Sequence, residues 1–369
     1  MKVLSIIGTR PEAIKMAPVI RELKEHPGKI ENLICVTGQH RQMLDQVLTL
    51  FAIQPDIDLN LMLPNQRLAI LTARLFETLD GVLAETKPDW ILAQGDTTTV
   101  FVAAVMAYYH EIRFGHVEAG LRTGDKRRPF PEEMNRRLAD AATDAWFAPT
   151  ERARRALLAE GFPGSAIHVT GNTIVDALLA ISRRPMDWHS GPLKEISPEG
   201  RKVLITAHRR ESFGEPFHAL CQAIRDLALS FPDTRFIYPV HLNPNVRKPV
   251  SEILSGLVNV HLIEPVDYLT LVQLMKRAAL ILTDSGGIQE EAPTFGVPVL
   301  VMRDTTERPE GVEAGVARLV GTSRARIVAE AAEVLEQGSW IEEGHSMVNP
   351  YGDGHAAERI VRVLLASAE

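Results

Sequence analysis

The 369-residue sequence predicts an α/β protein of two Rossmann-like domains, and three observations carry that expectation. The length exceeds what one hydrophobic core usually organises, so two domains are the default. Short Val- and Ile-rich runs alternate with longer amphipathic segments along the whole chain. These runs are apolar on both sides, as in parallel strands covered on both faces by helices.

In chain order, strands are expected at VLSIIG, NLICVT, WILAQG, FGHVEA, AWFAPT and IHVTGN. A second series follows at KVLITAH, RFIYPV, VHLIEP, ALILTD, VPVLVM and ARLVG. Helical patterns such as PEAIKMAPVIRELKE and TTTVFVAAVMAYYH fill the gaps. The polar stretch SRRPMDWHSGPLKEISPEG divides the two series, with the crossing near residue 170. The expected domains are therefore 1–170 and 171–354, and a C-terminal helix over 355–369, starting near His355, could complete either one, the first in particular. Two doubly wound domains facing one another would put a central cleft between two sets of carboxyl strand ends, where such sheets bind ligands.

Composition narrows the function classes. Hydrophobic residues at 45% and charged residues at 24% describe an ordinary globular protein. A net charge of −7 argues against a nucleic-acid partner, which would want a basic face. No apolar stretch approaches the roughly 20 residues of a membrane helix. The start MKVLSIIGTR suits a first strand better than a signal peptide, so the expected compartment is the cytoplasm. Cys35 and Cys221 lie in apolar surroundings and are expected as buried free thiols. The twelve histidines show no H-E-x-x-H arrangement, so no metal is expected.

Four segments carry candidate chemistry. In GTRPEAIK, Gly8 is expected to permit a tight turn, Thr9 to cap and Pro11 to open a helix. Arg10 and Lys15 there put two cations near a positive helix end, which suits a phosphate, although the segment taken alone fits an ordinary turn with solvated charges slightly better. In TDSGGIQEEAP, Ser285, Gly286 and Gly287 let backbone N–H groups approach an anion, and Glu291 could hold the two hydroxyls of a ribose. The G-x-G-x-x-G spacing of a dinucleotide site is missing, so no cofactor is expected. Asp96, Glu118 and Glu132 are carboxylates at or after strand ends in the first half. The alternative readings are a cap on the following helix for Asp96 and a complement to a helix dipole for Glu132, but three acids at corresponding places are harder to dismiss. Finally, TAHRRES brings His208, Arg209 and Arg210 to the mouth of the second domain, with His241 in YPVHLNP behind the next strand.

Taken together, GTRPEAIKMAPVI, VTGQHRQMLDQVL, QGDTTTVF, GHVEAGLRTGD, PFPEEMNRRLAD, TAHRRESFGEP, PVHLNP and LTDSGGIQEEAP resemble the bacterial non-hydrolysing UDP-N-acetylglucosamine 2-epimerases. The resemblance runs in order along essentially the whole chain. It implies the GT-B-like architecture shared with a large glycosyltransferase class, usually as a homodimer. It also implies interconversion of UDP-N-acetylglucosamine and UDP-N-acetylmannosamine, which feeds polysaccharide and cell-wall polymers. By the same resemblance, Asp96, Glu118 and Glu132 are catalytic acids, His208 lies beside the diphosphate and sugar, and Arg10, Ser285 and Glu291 contact UDP. A second, activating nucleotide-sugar site is implied at Gln39, Gln42, Gln66, Arg209 and His241. Two departures stand out: Leu271 where relatives often carry Phe near the base, and Asn65 where some carry Arg in the activator site.

The chemistry fits that resemblance. Hydrogen on carbon 2 of the sugar is not acidic, so the neighbouring carbon must change first. Expelling UDP from carbon 1 leaves cationic character that makes the carbon 2 proton removable, and carboxylates stabilise such charge. A UDP-sugar glycosyltransferase of the same fold, a hydrolysing epimerase and a non-catalytic nucleotide-sugar sensor are the competing readings.

Overall fold

The structure, a computed structural model, describes every residue except 39–40, 62, 64–65, 339, 341–348 and 368–369, and for 41–43 the backbone alone. The chain forms two compact units, Met1–Ala177 with Tyr351–Glu369, and Leu178–Pro350. The first unit thus runs seven residues past position 170, and local bonds explain why. The Asn172 N–H donates to the Tyr351 carbonyl at 2.6 Å. The Asp176 carboxylate accepts from the N–H groups of Ala356 and Ala357, at 3.3 and 2.9 Å. It therefore supplies the cap that the C-terminal helix Ala356–Ala366 lacks from its own His355. That helix packs on the helix Arg10–Lys24 of the first unit.

Among the described residues the first unit holds seven strands: β1 (Lys2–Ile7), β2 (Glu31–Val36), β3 (Ile57–Asp58), β4 (Trp90–Gln94), β5 (Arg113–Val117), β6 (Ala145–Ala148) and β7 (Ile167–Val169). They lie in the order β3-β2-β1-β4-β5-β6-β7. The second unit holds β8 (Lys202–Thr206), β9 (Arg235–Pro239), β10 (Val260–Ile263), β11 (Leu280–Thr283), β12 (Val299–Val301) and β13 (Ala317–Leu319), in the order β10-β9-β8-β11-β12-β13. Among the described residues every strand pairing is parallel.

Both sheets are doubly wound, as their sequence pattern implies. Leu4 and Ile6 of β1 enter one core cluster, while Val3 and Ile7, pointing to the opposite face, are equally buried. In the second unit Val203 and Ile205 of β8 pack with Leu280 and Leu282 of β11. Strand order reverses between β1 and β4 in the first sheet and between β8 and β11 in the second. Open α/β sheets bind ligands outside the carboxyl strand ends at such switch points. Cys35 and Cys221 are buried and free, and burial pushes both thiols up to about 12, which leaves them unreactive. Among the described residues no helix is long and apolar enough to cross a membrane, and no cluster of three His, Cys, Asp or Glu could hold a metal ion.

Candidate active site

At the first switch point, β1 ends and Gly8 and Thr9 lead into the helix Arg10–Lys24, with Pro11 in its first turn. Gly8 is needed for room, not for the tight turn expected of it. A Cβ there would lie 2.5 Å from Thr99 Oγ1 and 2.8 Å from Glu12 Oε2. Glu12 stands at the third helical position, where its Oε2 accepts the N–H groups of Gly8 and Thr9 at 2.5 and 2.7 Å. Its Oε1 accepts the Thr97 hydroxyl at 2.5 Å. Burial, helped by the charge of Asp96, raises the Glu12 carboxyl to about 7 against the pull of those three bonds. Arg10 is half-buried at the helix start and makes no ion pair among the described residues.

Lys15, expected at a phosphate, is turned elsewhere. Its ammonium lies 2.5 Å from Glu118 Oε1, with both side chains nearly buried. The same oxygen accepts from Asn172 Nδ2 at 2.8 Å, and Gln94 Nε2 donates to the other. Glu118 follows β5 with φ +67°, a left-handed conformation that costs of order 1–3 kcal/mol and persists only where neighbours impose it. Three donors on a strained carboxylate at a strand end hold it as an acceptor in one orientation.

Asp96 does not cap the helix Thr98–Tyr109, which takes Thr97 at its N-cap and uses no side-chain cap bond. Its carboxylate instead meets Arg136 Nη2 at 2.5 Å, and its carbonyl accepts from Asn135 Nδ2 at 2.9 Å. Both partners come from the helix Glu132–Ala141, which opens on Glu132. Glu132 is half-buried with no partner among the described residues, so its carboxylate is available. The adjoining Glu133 is fully buried and is the one spent on structure, binding Arg136, Arg137 and the Thr123 N–H.

Behind Asp96 lies a buried ionic chain. His116 of β5 is wholly enclosed, with Nε2 2.7 Å from the Gly95 carbonyl and Nδ1 2.7 Å from Asp140 Oδ1. Gly95 O can only accept, so Nε2 carries a proton. Arg122 donates to the other Asp140 oxygen at 2.7 Å and to Glu160 at 2.8 and 2.7 Å. Burial opposes the imidazolium, but the Asp140 charge and hydrogen bond outweigh it and hold His116 above its ordinary value. Burial likewise opposes the Asp140 carboxylate, and His116 and Arg122 together hold it below its ordinary value.

The second switch point is organised by Asp284, which directly follows β11 and is fully buried. Its Oδ2 accepts the N–H groups of His208 and Arg209 at 2.7 and 2.8 Å, tying the loop after β8 to the Ser285–Gly287 turn. The exposed His208 ring stacks on His241, centroids 5.4 Å apart and planes 11° from parallel. Crowding on its packed side, with His241 and Arg209 nearby, outweighs Asp284 and holds His208 below its ordinary value, favouring the neutral ring near pH 7. Arg209, expected at the activating site, holds its guanidinium 3.7 Å from where a Gly286 Cβ would be. Arg210, expected at the diphosphate, is exposed and without a partner among the described residues. Tethering by Asp284 draws Arg209 over the glycine turn and leaves Arg210 in the outward 3₁₀ turn Arg210–Ser212.

Ser285 and Gly286 open the short helix Gly286–Glu291. Its two acids have partners: Glu290 pairs with Arg308, and Glu291 Oε2 accepts the Tyr268 hydroxyl at 3.0 Å. Gly287 is exposed, and a Cβ there would lie 3.5 Å from Glu291 Oε1. Leu271 lies one turn beyond Tyr268 in the helix Tyr268–Arg277. Of the candidate activator residues, Gln39 and the Gln42 side chain lie outside the described residues, as does Asn65. Gln66 is half-buried with its amide nitrogen unpartnered among the described residues.

Sequence reasoning passed over Glu12, Arg136, His116, Asp140 and Asp284. Glu12 had a local signal, the capping-box spacing Thr9–Arg10–Pro11–Glu12. Arg136 stands four residues after Glu132 on one helix face, which a search for charged i, i+4 neighbours would have raised.

Comparison with known proteins identifies the family and the fold. The sequence profile of the UDP-N-acetylglucosamine 2-epimerase family matches residues 21–365. The UDP-N-acetylglucosamine 2-epimerase of Escherichia coli K12 is 52% identical over 372 residues, covering 99% of this chain and 98% of that one. The UDP-GlcNAc 2-epimerase of Neisseria meningitidis, solved bound to UDP-GlcNAc, is 48% identical with a TM-score of 0.88, covering 99% of this chain and 100% of that one. The glycosyltransferase of kitacinnamycin, 14% identical with a TM-score of 0.57 over 99% of this chain and 95% of its own, shares the fold alone, two Rossmann-like domains of the GT-B kind. With a family match over most of its length and relatives half identical from end to end, this chain belongs to the UDP-N-acetylglucosamine 2-epimerase family.

Proposed function

We propose that this chain interconverts UDP-N-acetylglucosamine and UDP-N-acetylmannosamine without hydrolysis, by eliminating and re-adding UDP. The observation that carries the reading is the set of carboxylates around adjoining strand ends: Asp96 after β4, Glu118 after β5, and Glu132 heading the helix that grips Asp96. In the forward half-reaction the carbon 2 proton passes to Asp96 as the bond from carbon 1 to the UDP oxygen breaks. The products are 2-acetamidoglucal and UDP. Return of UDP to carbon 1 and of a proton to the opposite face of carbon 2 completes the inversion.

Each group has a role suited to its surroundings. Glu118, fixed as an acceptor by Lys15, Gln94 and Asn172, stabilises positive charge on the ring as UDP departs. Glu132, unpaired, serves the second face as proton donor. Arg10, His208, Ser285, Gly286 and Gly287 serve the diphosphate, with Arg209 a better-placed cation than Arg210. Glu291, steadied by Tyr268, holds the ribose hydroxyls. Lys15, drawn to Glu118, steadies that carboxylate and so serves the sugar ring in place of the diphosphate. His241, stacked on His208, is assigned with Gln66 to a second, activating nucleotide-sugar site, while Arg209 lies over the glycine turn. A homodimer is supported by the exposed apolar residues Leu68, Ile70, Tyr108 and Tyr109 of the first unit, which a second copy would cover.

A proton NMR time course in D₂O with UDP-N-acetylglucosamine tests the reading. Deuterium is expected at carbon 2 of both nucleotide sugars, with no free N-acetylmannosamine and no added NAD or metal. Turnover that leaves carbon 2 protonated, or release of the free sugar, would refute it.

A further inference from the structure

The groups around Asp96 include one whose placement the reaction scheme leaves unexplained. A capping-box glutamate normally sits at a half-wet helix start, where it satisfies one or two orphan N–H groups. Glu12 fills that position yet is only 3% exposed. Keeping an ionisable group there works against burial, as its raised pKa registers, and a glutamine would cap without that cost. Capping alone therefore does not account for it.

The second carboxylate oxygen does. While Oε2 holds Gly8 and Thr9, Oε1 holds the hydroxyl of Thr97, the residue directly after Asp96 and 85 positions along the chain. The loops that follow β1 and β4 are neighbours because those strands pair directly. Gly8 lacks a side chain in the space that Thr99 Oγ1 and Glu12 Oε2 occupy, so the loops approach closely only with glycine there. On its other side the Asp96 loop is held by Arg136 and Asn135, and underneath by His116 on the Gly95 carbonyl. Among the described residues Glu12 makes the side-chain hydrogen bonds that run from Asp96's loop to the turn leading into Arg10.

We propose that Glu12 is a positioning residue for the reaction, bridging Thr97 to Gly8 and Thr9 so that Asp96 and Arg10 keep a single relative placement. The inference rests on the epimerase reading above, in which Asp96 handles the proton and Arg10 faces the diphosphate. The bridge acts on the chemical step, since a proton-transferring carboxylate displaced by an ångström loses rate far more than it loses binding.

Thr97→Val cuts the bridge while leaving the Glu12 cap intact, and Thr97 makes no side-chain cap bond that would be lost with it. Glu12→Gln keeps the size but leaves one acceptor oxygen, so its NH2 group cannot accept the Thr97 hydroxyl while the oxygen holds Gly8 and Thr9. Thr97→Ser restores the hydroxyl. With UDP-N-acetylglucosamine as substrate, Thr97→Val and Glu12→Gln are each expected to lower kcat about ten- to a hundredfold with KM little changed. Thr97→Ser should stay near the wild-type kcat, and the double variant Glu12→Gln/Thr97→Val should be no slower than the slower single. A folded Thr97→Val with wild-type kcat overturns the proposal, as do losses that multiply in the double variant. So does a Glu12→Gln that only melts earlier. Should Glu12→Gln fail to fold, Thr97→Val and Thr97→Ser decide between them. Wild-type protein that exchanges no deuterium at carbon 2 would remove the epimerase reading itself; wild-type exchange beside an unaffected Thr97→Val removes this inference alone.

Discussion

Asp140→Asn tests whether the buried ionic chain behind Asp96 holds the first unit together. Asp140 is fully buried between the His116 imidazole and the Arg122 guanidinium, each 2.7 Å away. Removing one partner of a buried pair costs about 3–5 kcal/mol, because the other charge stays buried without compensation. The asparagine oxygen still accepts one bond and Arg122 keeps Glu160, so the low end, about 3 kcal/mol, is expected. For a unit of this size that is a fall in melting temperature of roughly 6–12 °C.

The pH dependence is the sharper signature. His116 titrates above its ordinary 6.5 in the folded state, so its stabilisation is complete below that value and is lost as pH rises through the folded pKa. Asp140 titrates below its ordinary 3.8, so its stabilisation is present above that value and is lost as pH falls through the folded pKa. The gap between wild type and Asp140→Asn should therefore be widest from about pH 4 to about pH 6.5 and narrow on both sides. Urea unfolding followed by circular dichroism across that range measures it. A variant within about 0.5 kcal/mol of wild type, or a gap that ignores pH, would refute the ionic account.

Two further outcomes follow from the site. Asp96→Asn keeps shape but removes the charge that Arg136 holds, and turnover should fall by about two orders of magnitude or more. Isothermal calorimetry should find its UDP affinity near wild type; near-normal turnover would pass proton transfer to Glu118 or Glu132. Glu291→Ala should weaken UDP binding by about 1.5–3 kcal/mol for each charged hydrogen bond lost. Unchanged UDP affinity in the folded variant would take Glu291 and its Tyr268 partner out of the ribose site.

The strand series was legible because each strand of a doubly wound sheet buries both faces and leaves a run of Val, Ile and Leu too short for a helix. The exception, β3, spans only Ile57–Asp58 and carries too few residues for any period to register. Asp96 and Glu118 stood out for the same local reason, since a polar residue closing an apolar run marks the ligand end of a parallel strand. Glu132 was legible from the proline and the helical pattern on either side of it.

The partners of those acids were not. Lys15 has the look of a phosphate ligand from its helix, yet it pairs with Glu118, 103 residues away. Arg209 and Arg210 are indistinguishable as neighbours in sequence, and only the Asp284 tether, 75 residues on from Arg209, turns one towards the glycine turn and the other outward. Glu12 reads as a plain helix cap until Thr97 arrives beside it. The local alternation of apolar and polar residues is a property of one segment, so the sequence by itself determined two α/β sheets and which residues end their strands. Which charge meets which depends on strand order, and β1 lies against β4 and β4 against β5 only through pairings between distant segments. Tertiary structure alone decided that Glu12, Asp96 and Glu118 would meet at the carboxyl ends of adjoining strands, where burial and hydrogen bonding then set each carboxylate apart.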